Sequence, residues 1–322
     1  MRILFVARGL WGLEGPMLKQ ILTLKKHKNA LIIAHYYQIP EIQDIADYVG
    51  DSYGMALFAR KSPNKLVVVC GVRFMAETFK IMNPEKKILI PDMQASCSLA
   101  DTCTPHVFAH FKARYPNAYV MTYINSSVAI KAMSDVIVTS SNAVKIASQI
   151  PKDRPIIFGP DQHLGRYISK KLGRPLLLFP ANCFVHSAFS GAELKKLRAQ
   201  YPQAKVVAHP ECEAAVLDQA DFIGSTTQLL EFTQRDASKI FIVMTEAGIL
   251  HQMKKANPNK QYILGPDING CRLSECPHMK LITVEKVHNC LLNETPEIVV
   301  EEGLAQKALV PLARMMEMAT AS

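Results

Sequence analysis

Three side chains able to do acid–base or anion-binding chemistry recur at nearly constant spacing in this 322-residue chain: His35, Tyr123 and His209 lie 88 and 86 residues apart. Each closes a short run rich in β-branched residues. Ser52, Ser140 and Thr226 recur in step, within GDS, TSS and GST. A third set carries sulfur, because Pro91, Pro180 and Pro266 end apolar runs and each precedes a cysteine, Cys97, Cys183 and Cys276. Imidazole titrates near neutral pH and a phenol can relay a proton. Hydroxyls and free N–H groups at helix starts bind carboxylate and phosphate, although a lone Ser or Thr there is more often a helix cap. Three thiolates meeting on an axis would hold three irons of a [4Fe–4S] cluster and leave the fourth open. A zinc ion with three thiolates and a water satisfies the same spacing.

The elements that must position these residues are legible as alternating strand and helix patterns. Runs such as LIIAH (31–35), LVVVCG (66–71), KILIP (87–91), AYVMTY (118–123), PIIFG (155–159), KVVAH (205–209) and KIFIVM (239–244) are almost continuously apolar. Such runs belong to parallel strands covered on both faces. Length alone suggests two domains, whereas the recurrence in register points to three. The expected fold is α/β, with three similar αβα lobes carrying short parallel sheets around a pseudo-threefold axis. The lobes span 1–108, 109–190 and 191–280, with tail helices in 281–322 packing back on the first. Ligands bind beyond the carboxyl ends of parallel strands. The recurring polar residues sit at those ends, so the three lobes should share one central cavity.

The net charge of +9 and the 49% hydrophobic content exclude little by themselves. Lys25, Lys26 and Lys28 follow Leu18, Ile21, Leu22 and Leu24 as the solvated face of an amphipathic helix. Aromatic residues are too scattered to stack on single strands, so no nucleic-acid partner is expected. Arg8 and Gly9 interrupt the apolar start Met1–Ala7 too early for a secretory segment, and no apolar run is long enough to span a bilayer. The expectation is a soluble, cytoplasmic protein with no membrane partner, whose eight cysteines are reduced.

Longer strings carry a family resemblance. AHYYQIPEIQDIADYVGDS (34–52), FMAETFKIMNPEKKILIPDMQASCSLAD (74–101), TYINSS (122–127), TSSNA (139–143), HPECEAAVLDQADFIGSTTQLLEF (209–232) and CPHMKLITVEK (276–286) resemble the motifs of the quinolinate synthase family. The resemblance implies condensation of iminoaspartate with dihydroxyacetone phosphate to quinolinate in NAD biosynthesis, releasing phosphate and two waters. L-Aspartate oxidase is then the implied source of the unstable imine. It also implies one [4Fe–4S] cluster per chain on Cys97, Cys183 and Cys276. Carried over by position, it places the substrate against His35, Ser52, Tyr123, Ile124, Asn125, Ser140, His186, His209, Pro210, Glu211 and Thr226. Tyr37, Tyr123, His209 and Glu211 are the implied proton-transfer set. The chain departs from the family pattern where Cys271 and Cys276 enclose four residues, which makes Cys271 a rival ligand or a redox partner. Cys70 and Cys290 read as packing residues, and Cys212 stands between packing and lining the cavity. Another open-iron hydro-lyase and a cluster-bearing redox sensor are the rival functions.

Overall fold

The computed structural model of the protein describes residues 15–267 and 273–321, so the Met1–Ala7 start and Cys271 lie outside the described residues. Twelve strands are described, in three sheets of four. The first holds β1 (Ala30–His35), β2 (Tyr48–Gly50), β3 (Leu66–Cys70) and β4 (Lys87–Leu89). The second holds β5 (Tyr119–Tyr123), β6 (Val136–Val138), β7 (Ile156–Gly159) and β8 (Leu177–Leu178). The third holds β9 (Lys205–Ala208), β10 (Phe222–Ile223), β11 (Ile240–Met244) and β12 (Gln261–Leu264). The spatial orders are β2-β1-β3-β4, β6-β5-β7-β8 and β10-β9-β11-β12, with every pairing parallel. One connectivity is thus used three times. Its first strand is always interior, which brings His35, Tyr123 and His209 to equivalent strand ends.

A local device repeats with the sheets. Asp47, Asp135 and Asp221 immediately precede β2, β6 and β10. Their carboxylates accept the backbone N–H groups of Ile32, Val120 and Val206 at 2.8, 2.7 and 2.7 Å. The aspartate N–H groups donate back to the carbonyls of the same three residues, each at 2.8 Å. Each aspartate therefore fixes the register of the short second strand against the first. Removing a charged hydrogen-bond acceptor in this half-exposed setting should cost about 1–2 kcal/mol. Asp135→Ala is expected to lower the urea midpoint accordingly, and an unchanged midpoint would show that strand pairing alone holds the edge.

Apolar packing distinguishes the sheets. One continuous core runs through the first two sheets and the tail, including Ile32, Val68, Phe79, Phe108, Ile137, Phe158 and Leu312. The third sheet has a separate layer on each face, one around Phe189, Val206 and Ile242, the other around Val207, Leu229 and Phe241. Tyr36, from the loop after β1, inserts into the latter layer and anchors that loop on the third sheet. Lys25 lies on the helix Pro16–His27, whose Leu18 and Ile21 are buried, and bonds Asp47 at 2.8 Å. The tail divides between two sheets rather than covering the first alone. The helix Val284–Asn293 packs on Pro16–His27 and β3, while Glu302–Thr320 lies against β6 and the helices Val128–Ala132, Ala143–Ser148 and Arg73–Met82. Pro311 lies inside that 19-residue helix. No described helix is long and apolar enough to cross a membrane.

Candidate active site

The strand ends converge on a small cavity of about 70 Å³. His35, Tyr37, Ser52, Tyr123, Ile124, Asn125, Ser140, His186, His209, Glu211 and Thr226 all line it, together with Cys97, Cys183 and Cys276. Pro210 does not. It is buried behind the lining and bends the chain between His209 and Glu211.

The histidines are set by their own backbones. Nδ1 of His35 accepts the N–H of Tyr37 at 3.2 Å, and Nδ1 of His209 accepts the N–H of Glu211 at 3.4 Å. An imidazole whose Nδ1 accepts must, when neutral, carry its hydrogen on Nε2. Burial lowers the pKa of His35 to about 3, helped by His209 and Lys280. Burial lowers His209 to about 3 as well, against the pull of Glu211. Both rings are therefore neutral donors near pH 7, and they meet an anion as N–H groups rather than as cations.

The recurring hydroxyls are not helix caps. Asp51 caps the helix Ser52–Lys61 by accepting from Gly54 N, and Ser225 caps Thr226–Arg235 within a capping box with Gln228. Ser52 and Thr226 are the first helical residues, one position inside the cap, and Ser140 precedes the short helix Ala143–Ser148 by three residues. Because Asp51 and Ser225 do the capping, the hydroxyls of Ser52 and Thr226 are not spent on helix N–H groups, and both residues line the cavity with Ser140. Lys131, fully buried, pins the adjacent loop by donating to the carbonyls of Ile124 and Ser126. Burial pushes its pKa down to about 7. The side-chain amide oxygen of Asn125, Oδ1, is buried on that loop with no hydrogen-bond partner among the described residues. A buried unpaired acceptor in a cavity wall suits a ligand donor.

A chain of hydrogen bonds crosses the site. Glu211 Oε2 lies 2.8 Å from His186 Nδ1, which is also 3.3 Å from the Cys183 sulfur, and Glu211 bonds the Tyr123 hydroxyl. His186 Nε2 lies 2.9 Å from the Thr245 hydroxyl, which lies 2.9 Å from the Tyr37 hydroxyl, itself 3.1 Å from Thr226. Burial and the charge on Glu211 hold both phenols above their usual pKa, so Tyr37 and Tyr123 stay protonated. Burial opposes ionisation of Glu211, but His186 and His209 outweigh it and hold the carboxyl below its usual range.

The thiols share a local design. Cys97, Cys183 and Cys276 occupy the N-cap positions of the short helices Ser98–Thr102, Phe184–Ser187 and Pro277–Lys280. Burial raises all three thiol pKa values, Cys97 to about 12, while backbone N–H groups one turn on oppose the shift. Cys97 also feels the charge of Cys276, and Cys183 that of Cys97. Two carboxylates that sequence reasoning missed hold this frame. Asp161 accepts the N–H of Cys183 at 3.0 Å, and Glu246 accepts that of Cys276 at 3.0 Å while pairing with Lys280 at 2.8 Å. Each lies two residues past the third strand of its sheet, a position that Val72 fills in the first sheet. Cys70, Cys103 and Cys290 are buried in the core. Cys212 is buried too, donates to Met244 O at 3.3 Å, and borders a different cavity beside His163 and Arg166.

Donor atoms of Cys183, His186 and Glu211 lie within 4.8 Å of one another and could hold a metal ion. Among the described residues the three cysteine sulfurs form no such tight set. Around one zinc, thiolates ~2.3 Å from the metal would sit roughly 4 Å apart. The wider spread suits several irons better than one zinc.

Comparison with known proteins shows the family of the chain. The family described as "Quinolinate synthetase A protein" matches residues 19–317. The quinolinate synthase of Microcystis aeruginosa is 53% identical over 307 residues, covering 95% of this chain and 96% of that protein. That of Gloeothece citriformis is 54% identical over 295 residues, 92% and 91% of the two chains, and one from Prochlorococcus marinus is 52% identical over 298 residues, 92% and 90%. With the match running from the first described helix almost to the end of the last, the chain belongs to the quinolinate synthetase A protein family.

Proposed function

We propose that the chain condenses iminoaspartate with dihydroxyacetone phosphate to quinolinate, releasing phosphate and two waters. The supporting observation is the convergence of anion donors, a protonated tyrosine pair and three thiols on one cavity. We further propose that Cys97, Cys183 and Cys276 hold one [4Fe–4S] cluster and that the three sheets form lobes about a pseudo-threefold axis. The Cys183, His186 and Glu211 set is the weaker metal reading. His186 Nδ1 faces both Glu211 at 2.8 Å and the Cys183 sulfur at 3.3 Å, and its other nitrogen is engaged by Thr245. Bound to the three thiolates, a cluster supplies an iron with an exchangeable position, a Lewis acid toward a hydroxyl or carboxylate.

The chain's own residues bind and move protons. The Nε2–H groups of His35 and His209, with the hydroxyls of Ser52, Ser140 and Thr226, hold carboxylate and phosphate oxygens. Asn125 receives a donor from the bound substrate. Glu211 is the base, Tyr37 and Tyr123 are the donors, and the enclosing walls keep water from the hydrolysable imine. Assaying anaerobically reconstituted protein for quinolinate from the two substrates tests the activity. No product from protein with a full iron complement would remove this reading in favour of another hydro-lyase or a redox sensor.

Losing a hydroxyl that bonds a charged ligand costs about 1.5–3 kcal/mol. Ser52→Ala, Ser140→Ala and Thr226→Ala are each expected to weaken substrate binding roughly tenfold to a hundredfold. Thr226→Ala should also slow turnover, because it frees the Tyr37 hydroxyl on one side. Unchanged affinity in all three variants would place the anion site elsewhere.

A further inference from the structure

We infer that a groove between the second and third sheets, outside the active cavity, is a second ligand site for a small aromatic dicarboxylate. The condensation proposed above releases such a molecule, so the source of the ligand rests on that reading. The groove then lets accumulated product slow its own formation.

The groove has a volume of about 390 Å³, against about 70 Å³ for the active cavity, and the two share no lining residue. That is room for one ring carrying two carboxylates. One wall is the helix Gln162–Leu172, which presents His163, Arg166, Tyr167, Lys170 and Lys171. Their spacing of three and four residues puts them on one helix face. The helix packs on β7 and β8 and buries Leu164, Gly165 and Ile168. The face turned toward the third sheet is therefore basic where a packing face would be apolar. The opposite wall is apolar, made by Cys212, Ala214, Leu217 and Ile223, and Asp218 is the one acidic lining residue.

The polar groups of the groove are arranged for an anion. His163 is 8% exposed, lines the groove, and its ring nitrogens have no hydrogen-bond partner among the described residues. A buried imidazole normally has one. Burial lowers its pKa, so the neutral ring offers one N–H. Asp218 is taken up by Lys170 at 2.9 Å, which leaves Arg166 and Lys171 without a carboxylate partner among the described residues. Arg166 donates to Gln162 Oε1 at 2.8 Å and keeps further guanidinium donors for a carboxylate. The Lys171 ammonium stands over the Tyr167 ring at 5.6 Å. Two carboxylates of a ligand meet Arg166, Lys171 and His163, and its ring lies between Tyr167 and the apolar wall. A sugar phosphate would satisfy the cations but turn its hydroxyls toward Leu217 and Ile223, where nothing bonds them.

Short covalent links join the groove to the active cavity. Cys212, in the apolar wall, directly follows Glu211, and its thiol donates to the Met244 carbonyl at 3.3 Å. His163, in the basic wall, lies two residues after Asp161, which accepts the N–H of Cys183 at 3.0 Å. A ligand held between these walls fixes the helix Gln162–Leu172 against the Glu211–Cys212 turn, and with them two sides of the active cavity. Its effect on substrate affinity equals the effect of substrate on its own affinity.

Arg166→Gln combined with Lys171→Gln removes both free cations from exposed positions, and fold, iron content and uninhibited kcat are expected to stay as in wild type. Calorimetric titration of anaerobically reconstituted protein with quinolinate should show two sites per chain in wild type and one in the double variant. Should the double variant not fold, Arg166→Gln alone takes its place, with a roughly tenfold weaker second site expected. Product inhibition of wild type should include a part that excess dihydroxyacetone phosphate does not relieve, and the variant should lose that part. One site in wild type, or two of unchanged affinity in both proteins, would overturn the groove as a ligand site. Displacement of the second equivalent by ribose 5-phosphate would overturn the aromatic dicarboxylate, and purely competitive inhibition would overturn the coupling to turnover. The titration needs no turnover, so wild type that forms no quinolinate strikes the proposed activity, while the difference of one site between the two proteins still decides the groove.

Discussion

Cys97→Ser, Cys183→Ser and Cys276→Ser are each expected to lose most of the bound iron and the brown colour of anaerobically reconstituted protein, while Cys70→Ser and Cys290→Ser keep both. The difference follows from placement. The first three thiols line the cavity at helix starts, and the other two are packed among apolar side chains. A serine hydroxyl is far less acidic than even a buried thiol, so it fails as an anionic ligand while filling nearly the same space. Fold should persist in all five variants, and unchanged far-ultraviolet circular dichroism is the control. Because burial holds the free thiols protonated, with Cys97 raised to about 12, loading the site must release protons. Reconstitution should therefore improve as pH rises. Stoichiometric zinc without iron after anaerobic purification would overturn the cluster assignment.

How much of this was legible in the sequence depended on whether a feature had a period. Eleven of the twelve strands are apolar runs bounded by turn residues. The exception, Tyr48–Gly50, is only three residues long, with a half-buried tyrosine and valine, and no periodicity can show in it. The recurrence of His35, Tyr123 and His209 was readable because one connectivity is used three times, and identical offsets follow from it. The register aspartates share that period in ADY, SDV and ADF. They were readable in principle, but they serve the backbone, and their chemistry gives no hint of a site.

Thr245, Glu246 and Asp161 were not legible for a different reason. Each matters through a partner distant in sequence, and the middle sheet has Pro160 and Asp161 where the third has Thr245 and Glu246. The helix starts show the reverse error of reading a residue type without its neighbour. A serine or threonine near a helix start reads as the cap until an aspartate or second hydroxyl just before it is seen to do that work, as Asp51 and Ser225 do. The freed hydroxyl then becomes available to substrate.

Glu211→Gln is expected to lower turnover by about 10²–10⁴-fold while iron content and fold persist, since the amide keeps the shape and one accepting oxygen but cannot take a proton. Glu211 has two claims on its charge. It is the carboxylate end of the hydrogen-bonded chain through His186, and that contact, 2.8 Å long with both side chains almost fully buried, also stabilises the fold. Losing a charged partner here should cost about 1–3 kcal/mol near neutral pH. The sign of the pH dependence separates this cost from the chemistry. The folded-state pKa of Glu211 lies below the ordinary value of 4.5, so the unfolded chain binds the proton more readily. The stabilisation is present above about 4.5 and is lost as pH falls through the folded value near 2. The melting-temperature gap between wild type and variant should therefore be constant near neutrality and close as the solution is acidified below pH 4.5. A gap with that pH dependence beside near-normal turnover would leave Glu211 a structural partner of His186 and take it out of the mechanism. Turnover reduced a hundredfold or more beside a small gap would identify it as the base.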